Sequence, residues 1–324
     1  MQTHEGTRSA GRWATIHPLT DHDRRARIAM RAEVGPLKGK LQGAAARGPY
    51  DGIMSRVPAA DGVTYQADTI GGVAGWWCTP PDAPADAAVV HLHGGWYNFG
   101  SAQAFRHFVG QIAARAGVAV FVPDYRLAPE HPFPAALDDA QACYEGLRDR
   151  DMRRIALTGD SAGGGLALAL LAVTTARATA GRPAPVGAAT LSPVTDLAQA
   201  GESWETRAAA DPFFTRPQTA AMIRAYLGDR APTDPRASPL YGDVAGLPPV
   251  RVHVGDDEVL LDDAVRYVQR AADAGGDARL DVWEGMAHGF ASGVGRFDAA
   301  AQALDVVGRF LRERLAPAAA GTAR

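Results

Sequence analysis

Ile155-Ala156-Leu157-Thr158-Gly159-Asp160-Ser161-Ala162-Gly163-Gly164-Gly165-Leu166-Ala167-Leu168 is the stretch on which the fold turns. Its first four residues form a short apolar run that predicts a buried strand. The Ala/Leu-rich run continuing to Arg177 predicts a helix. Between them, Gly159 to Gly163 matches G-x-S-x-G. Five positions alone are a weak match; the strand before and the helix after give them meaning. A strand-to-helix turn this tight crowds the backbone, so small residues must flank it. Such a turn lifts the Ser161 hydroxyl above the sheet edge and aims the first amides of the helix at a reacting carbonyl. The plainer alternative is a glycine-rich helix start with Ser161 as its N-cap.

Working outward, strands alternate with helices. Strands are expected at 63–70, 73–78, 88–93, 118–123, 188–191, 250–254 and 279–283, with Pro80, Pro81 and Pro84 turning the chain after the second. Helices are expected at 105–116, 134–148, 262–274 and 297–315. This alternation implies right-handed crossovers and a mostly parallel sheet covered on both faces, an α/β fold. Residues 195–241, with Trp204, Phe213, Phe214 and Tyr226, break the rhythm and read as an insertion. Residues 18–47 suggest one or two short helices, with apolar Ile28, Met30, Val34, Leu37 and Leu41, broken near Gly35-Pro36. Residues 1–12 and 317–324 read as tails. The expected organisation is N-terminal cap helices and tail over 1–50, then a catalytic domain over 51–324 with a cap insertion at about 197–240.

The 324 residues carry 33 Lys+Arg against 36 Asp+Glu, a net charge of −3, with no basic block of the kind that tracks phosphates. Nucleic acid is therefore not an expected partner. The longest apolar run, 166–173, is too short to span a bilayer, and residues 1–13 lack the apolar segment of a secretory signal. Two cysteines, Cys78 and Cys143, read as free thiols, and the cytoplasm is the expected compartment.

His93-Gly94-Gly95-Trp96 follows the third strand. Consecutive glycines let backbone N–H groups approach a developing oxyanion, so the expected donors are Gly94, Gly95 and Ala162; a plain Gly-Gly turn is the alternative. His93 sits too early in the chain for a base and is read as organising the loop, and His91 as a core histidine. In enzymes with this elbow the chain order is Ser, acid, His. Only His253 and His288 follow Ser161. His253 lies inside an apolar strand, whereas His288 sits in the loop Gly285-Met286-Ala287-His288-Gly289-Phe290 and is the expected general base. Asp262 and Asp263 open a helix, where carboxylates serve as caps and dipole partners. Asp256, Asp257 and Glu258 stay open as the acid.

Four ordered blocks resemble the hormone-sensitive-lipase-like esterases: His93-Gly94-Gly95-Trp96, Asp124-Tyr125-Arg126-Leu127-Ala128-Pro129-Glu130, Gly159-Asp160-Ser161-Ala162-Gly163-Gly164 and His288-Gly289-Phe290. The resemblance covers roughly residues 87–310 and implies the α/β-hydrolase fold. It implies that the Asp124 block is scaffold behind the oxyanion loop. That family's Asp-Pro-Leu-x-Asp-Glu segment aligns with Glu258-Val259-Leu260-Leu261-Asp262-Asp263, so the resemblance implies Glu258 as the acid, with Asp257 the alternative. Trp96 stands where the family has a third glycine; its backbone N–H is retained, and its indole bears on substrate range.

The expected function is a serine carboxylesterase acting on short- to medium-chain carboxylic esters through an acyl-enzyme, with the triad Ser161, Glu258 and His288 and no metal or organic cofactor. The expected partner is a small-molecule ester, and a membrane partner is not expected. The resemblance adds a dimer face on the last strand and helix. Deacetylation, lactone or amide hydrolysis, or transacylation would use the same groups. A non-catalytic binding protein on this scaffold typically lacks the triad histidine. Candidate pocket walls are Trp96, Tyr97, Phe213, Phe214 and Met286, with Trp13 and Trp204 beside them; each would serve equally as core.

Overall fold

The computed structural model describes residues 13–179 and 182–317. Residues 1–12 and 318–324, and with them most of both expected tails, lie outside the described residues. Nine strands form one sheet: β1 (Ala14–His17), β2 (Thr64–Ile70), β3 (Val73–Thr79), β4 (Ala87–Leu92), β5 (Ala119–Pro123), β6 (Arg154–Asp160), β7 (Ala188–Leu191), β8 (Val250–Gly255) and β9 (Ala278–Trp283). Their order is β1-β9-β8-β7-β6-β4-β5-β3-β2. Every pairing is parallel except β2 with β3 and β3 with β5. The central strands β4 and β7 are buried at every position, as their unbroken apolar runs require.

The crossovers are α3 (Ala102–Ala116), α4 (Ala135–Asp149), α5 (Ala162–Ala176) and α8 (Leu261–Asp273), and α9 (Asp298–Leu315) follows the last strand; two helices precede them, α1 (Asp21–Val34) and α2 (Arg47–Met54), and two lie in the insertion, α6 (Ser203–Thr206) and α7 (Arg216–Leu227). They sort onto the two faces. Leu166, Leu170 and Tyr144 belong to one buried cluster, and Phe105, Ile112, Leu304 and Leu311 to the other. Helix α5 is apolar nearly all round, as fits a helix with eleven buried residues. Among the described residues no helix is long and apolar enough to cross a membrane.

Strand β1 was not expected. Its four residues, Ala-Thr-Ile-His, are too few to show alternation, yet they pair with β9 from Ala14↔Leu280 to His17↔Trp283. Side chains reinforce the pairing: His17 Nε2 lies 2.7 Å from Asp281 Oδ1, and its ring stacks on Trp283 at 3.8 Å. Helix α1 then begins at Thr20, whose hydroxyl accepts from Asp23 N at 3.0 Å, a cap that contributes about 1 kcal/mol. The buried Asp23 carboxylate in turn accepts from Asp298 N and Ala299 N, so one helix caps the start of α9.

The two segments outside the strand–helix rhythm meet each other. Gly39 N donates to Phe213 O at 3.0 Å, and Gln218 Nε2 donates to Leu41 O at 2.7 Å. The insertion holds one substantial helix, α7, which Thr215 and Gln218 start with a reciprocal capping box.

Candidate active site

Ser161 sits at the turn between β6 and α5 with φ 55° and ψ −124°, a conformation a non-glycine residue holds only under constraint. The constraint is visible. Ser161 N donates to Leu191 O at 2.8 Å, and Val194 N donates back to Ser161 O at 2.9 Å. A Cβ on Gly163 would lie 1.9 Å from Leu92 O, so only glycine lets the helix start this close to β4.

The loops after β8 and β9 bring two further groups to this turn. His288 Nε2 lies 2.9 Å from Ser161 Oγ, and His288 Nδ1 lies 2.7 Å from Glu258 Oε2. Both bonds are within the range of short, well-formed hydrogen bonds. Glu258 is fully buried and follows β8 by three residues. Burial alone would pull the His288 imidazole down; the charge and hydrogen bond of Glu258 outweigh it, and the pKa lies above the ordinary histidine value. Asp211 and Asp160 push in the same direction.

The other acids near β8 are committed elsewhere. Asp257 Oδ2 accepts from Arg27 at 2.9 Å and Arg31 at 2.8 Å, pinning α1 to this loop. Asp256 Oδ1 accepts from Gly285 N. Asp263 is buried and accepts the Thr195 and Asp196 amides, and Asp262 accepts from Ser203 N. Buried Asp211 bridges the insertion to the acid turn: it accepts from Phe213 N, Phe214 N and Val259 N.

Of the three amides expected to face an oxyanion, Gly94 does not fit. Its N–H donates to Asp160 Oδ1 at 3.0 Å. Asp160 also takes His91 Nε2 at 3.2 Å, so His91 braces the elbow from within the core. Sequence could have suggested Asp160 as the loop's anchor only if the elbow's second residue were known to face β4. The Gly95 and Ala162 amides have no acceptor among the described residues, and neither has the N–H of Trp96. Gly95 adopts φ +121°, and a Cβ there would lie 2.0 Å from Phe99 O. Trp96 follows at φ +52°. His93 is buried behind this loop, stacked on Tyr125, whose hydroxyl donates to His93 O at 2.7 Å. Burial holds its imidazole below the ordinary value. The Asp124 block thus backs the loop: Asp124 Oδ1 also accepts from Ala102 N, starting α3.

A cavity of about 200 Å³ lies over Ser161 and His288. Its walls are mostly apolar: Val34, Leu37, Leu41, Ile53 and Met54 from the N-terminal segment, Phe213 and Phe214 from the insertion, Leu191 and Phe290 from the sheet side. Trp96 lines it too, edge-on to Phe214 at 5.4 Å, and Phe214 is edge-on to His288 at 4.9 Å. Tyr97 and Met286, expected as walls, do not line it. Tyr97 is buried with its ring stacked flat on Tyr226 at 3.8 Å, and Met286 is core within the loop that carries His288, its carbonyl accepting from Asp257 N. Trp204 is likewise core, beside Trp96, and the half-buried Trp13 packs against the same cluster. Sequence did not single out the α1–α2 residues around Leu37 and Ile53 as walls, because their apolar spacing is that of any half-buried helix.

Residues 89–292 match a family described by its alpha/beta hydrolase fold. The chain is similar to an acetyl-hydrolase of Streptomyces hygroscopicus, 39% identical over 79% of this chain and 83% of that one. It is 35% identical to a putative acetyl-hydrolase, LipR, of Mycobacterium tuberculosis, over 79% and 83%. A solved structure of an esterase from the bacterial hormone-sensitive lipase family superposes with a TM-score of 0.84 at 36% identity, covering 93% of this chain and 100% of that one.

Proposed function

The chain belongs to the alpha/beta hydrolase fold family, among its hormone-sensitive-lipase-like esterases, and is a carboxylic ester hydrolase; from that premise we propose that Ser161, His288 and Glu258 carry the reaction on short-chain esters, acetyl esters first. The hydrogen-bonded chain from Ser161 Oγ through His288 to Glu258 is the observation that carries this reading.

In the first step Ser161 Oγ attacks the ester carbonyl carbon while His288 Nε2 takes the hydroxyl proton. Glu258 fixes the imidazole tautomer with Nδ1–H toward Oε2 and stabilises the imidazolium that forms. The N–H groups of Gly95, Trp96 and Ala162 receive the developing oxyanion. The intermediate collapses, the C–O bond to the alcohol breaks, and His288 returns the proton to the leaving oxygen. Water then attacks the acyl-serine, with His288 again the base, releasing the acid and restoring Ser161.

Residues 21–54 and the insertion around α7 form the cap that closes the cavity. A preference for small acyl groups fits the bulk of Trp96 beside the oxyanion loop and the names of the two acetyl-hydrolase relatives. The two cysteines are buried and free, which fits a reducing compartment such as the cytoplasm. Replacing Ser161 with Ala is expected to lower kcat on p-nitrophenyl acetate by roughly a million-fold while leaving the melting curve intact. Residual activity near wild type would refute the assignment.

A further inference from the structure

We propose that Ser192 is a positioning residue for the ester hydrolysis, acting through Glu258; this rests on the reading of Glu258 as the triad acid. Ser192 is the first residue after β7, is buried, and holds φ +48°, a left-handed conformation that serine rarely adopts. Its N–H donates to His253 O at 2.7 Å, which fixes the turn against β8. From there its hydroxyl donates to Glu258 Oε1 at 2.7 Å. Gly255 N donates to the same oxygen, also at 2.7 Å.

The division of labour within the carboxylate follows. Oε2 faces His288 Nδ1, and Oε1 is held by two donors on the far side. A fully buried carboxylate has no water to complete its shell, so each donor matters. With Oε1 tied from two directions, rotation about the last bond of Glu258 is blocked and Oε2 stays on the imidazole. Glutamate has one more such bond than aspartate, so the extra reach at this position needs an extra restraint. The residue before Ser192 is also tied to the nucleophile, since Leu191 O accepts Ser161 N. One turn therefore braces both ends of the triad. An otherwise costly backbone conformation at Ser192 has its explanation in that hydroxyl's aim.

The test is a double-mutant cycle between Ser192→Gly and Glu258→Gln, with Ser192→Ala alongside, read by kcat, KM and the pH profile on p-nitrophenyl acetate. Glycine tolerates the left-handed backbone, so Ser192→Gly removes the hydroxyl without straining the fold. The expected result is a fall in kcat of about 10- to 100-fold, the scale of one hydrogen bond to a charged group, with KM changed less than about threefold. The acid limb of the profile should move to lower pH, because a loosened Glu258 supports the imidazolium less. In the Glu258→Gln background the same change should cost less than about twofold. Equal losses in both backgrounds, or wild-type kcat and acid limb in Ser192→Gly, would overturn the proposal and leave the triad standing. Full activity in Glu258→Gln alone would overturn the acid assignment and this proposal with it.

Discussion

The two sides of the cavity are built on opposite principles. On the sheet side each group proposed to react is tied by named hydrogen bonds: Ser161 by its backbone to β7, His288 to Glu258, and the Gly94-Gly95 loop to Asp160. On the cap side the walls are apolar and aromatic side chains, and several polar groups behind them are left unpaired, as His93 Nε2 is behind the glycine loop. The indole N–H groups of Trp96 and Trp204 and the Tyr226 hydroxyl are buried without a partner among the described residues. The difference separates two tasks. Chemistry needs groups held to a fraction of an ångström before substrate arrives. Selection of a substrate needs only shape and hydrophobicity, which tolerate looser construction.

If that division holds, damage on the sheet side should cost rate and damage on the cap side should change preference. After Ser161→Ala, the largest effect is expected from Glu258→Gln: a fall in kcat of roughly a thousand- to ten-thousand-fold, because the neutral amide no longer holds the imidazole in its working tautomer. The sign of the accompanying pH change is fixed. A histidine in the role proposed for His288 is a base only when neutral, and Glu258 raises its pKa above the ordinary value against the opposing effect of burial. Activity in the wild type should therefore fall as pH drops through a value above the ordinary histidine range, and the variant's acid limb should lie lower. A limb that stays in place would show that Glu258 does not set the imidazole's charge.

Next comes Gly95→Ala. Its Cβ would meet Phe99 O at 2.0 Å and displace the loop, with an expected loss of about 100- to 1000-fold in kcat, the scale of one lost oxyanion donor. Thermal denaturation separates this from global unfolding. A smaller rate change but a clear shift in preference is expected from Trp96→Gly, which keeps the N–H and removes the indole beside Phe214. The ratio of kcat/KM for an octanoate ester over acetate should rise about 10-fold or more. An unchanged ratio would mean that the indole does not bound the acyl chain. The smallest effect is expected from Asp257→Asn. It loosens Arg27 and Arg31, part-exposed partners, and should lower stability by about 1 kcal/mol or less with kcat within about twofold. A loss as large as that of Glu258→Gln would reverse the assignment between these neighbouring acids.

The same division governs what the sequence disclosed. The meeting of the Ser161 turn with the His288 loop was legible because backbone sterics force glycines beside both residues, and spacing within a parallel sheet orders them. Gly94 was misread because its N–H is claimed by a side chain 66 residues away, Asp160, and no local pattern reports a cross-strand partner. Tyr97 and Met286 were misread for the common reason that an aromatic or Met beside a site is chemically the same whether it lines a cavity or fills the core. Phe213 and Phe214 do line the cavity, but only tertiary packing distinguishes them from Tyr97. The edge strand β1 escaped notice because four residues carry no period, and its stability comes from β9.

That edge strand has a consequence for biosynthesis. Ala14–His17 leave the ribosome long before their sheet partner, residues 278–283, is made. The same holds for the Arg27 and Arg31 contacts to Asp257, and for Asp23 at the head of α9. At typical elongation rates of about 5–20 residues per second, the N-terminal arm spends roughly 10–50 s without its docking surface. The inner strands can pair as they emerge, but β1 and β9 meet only afterward. Closing so long a loop is slow relative to local structure. Until then β1 and the apolar side of α1, with Met30 and Val34, lack their native partners, the interval in which a chaperone would find the chain.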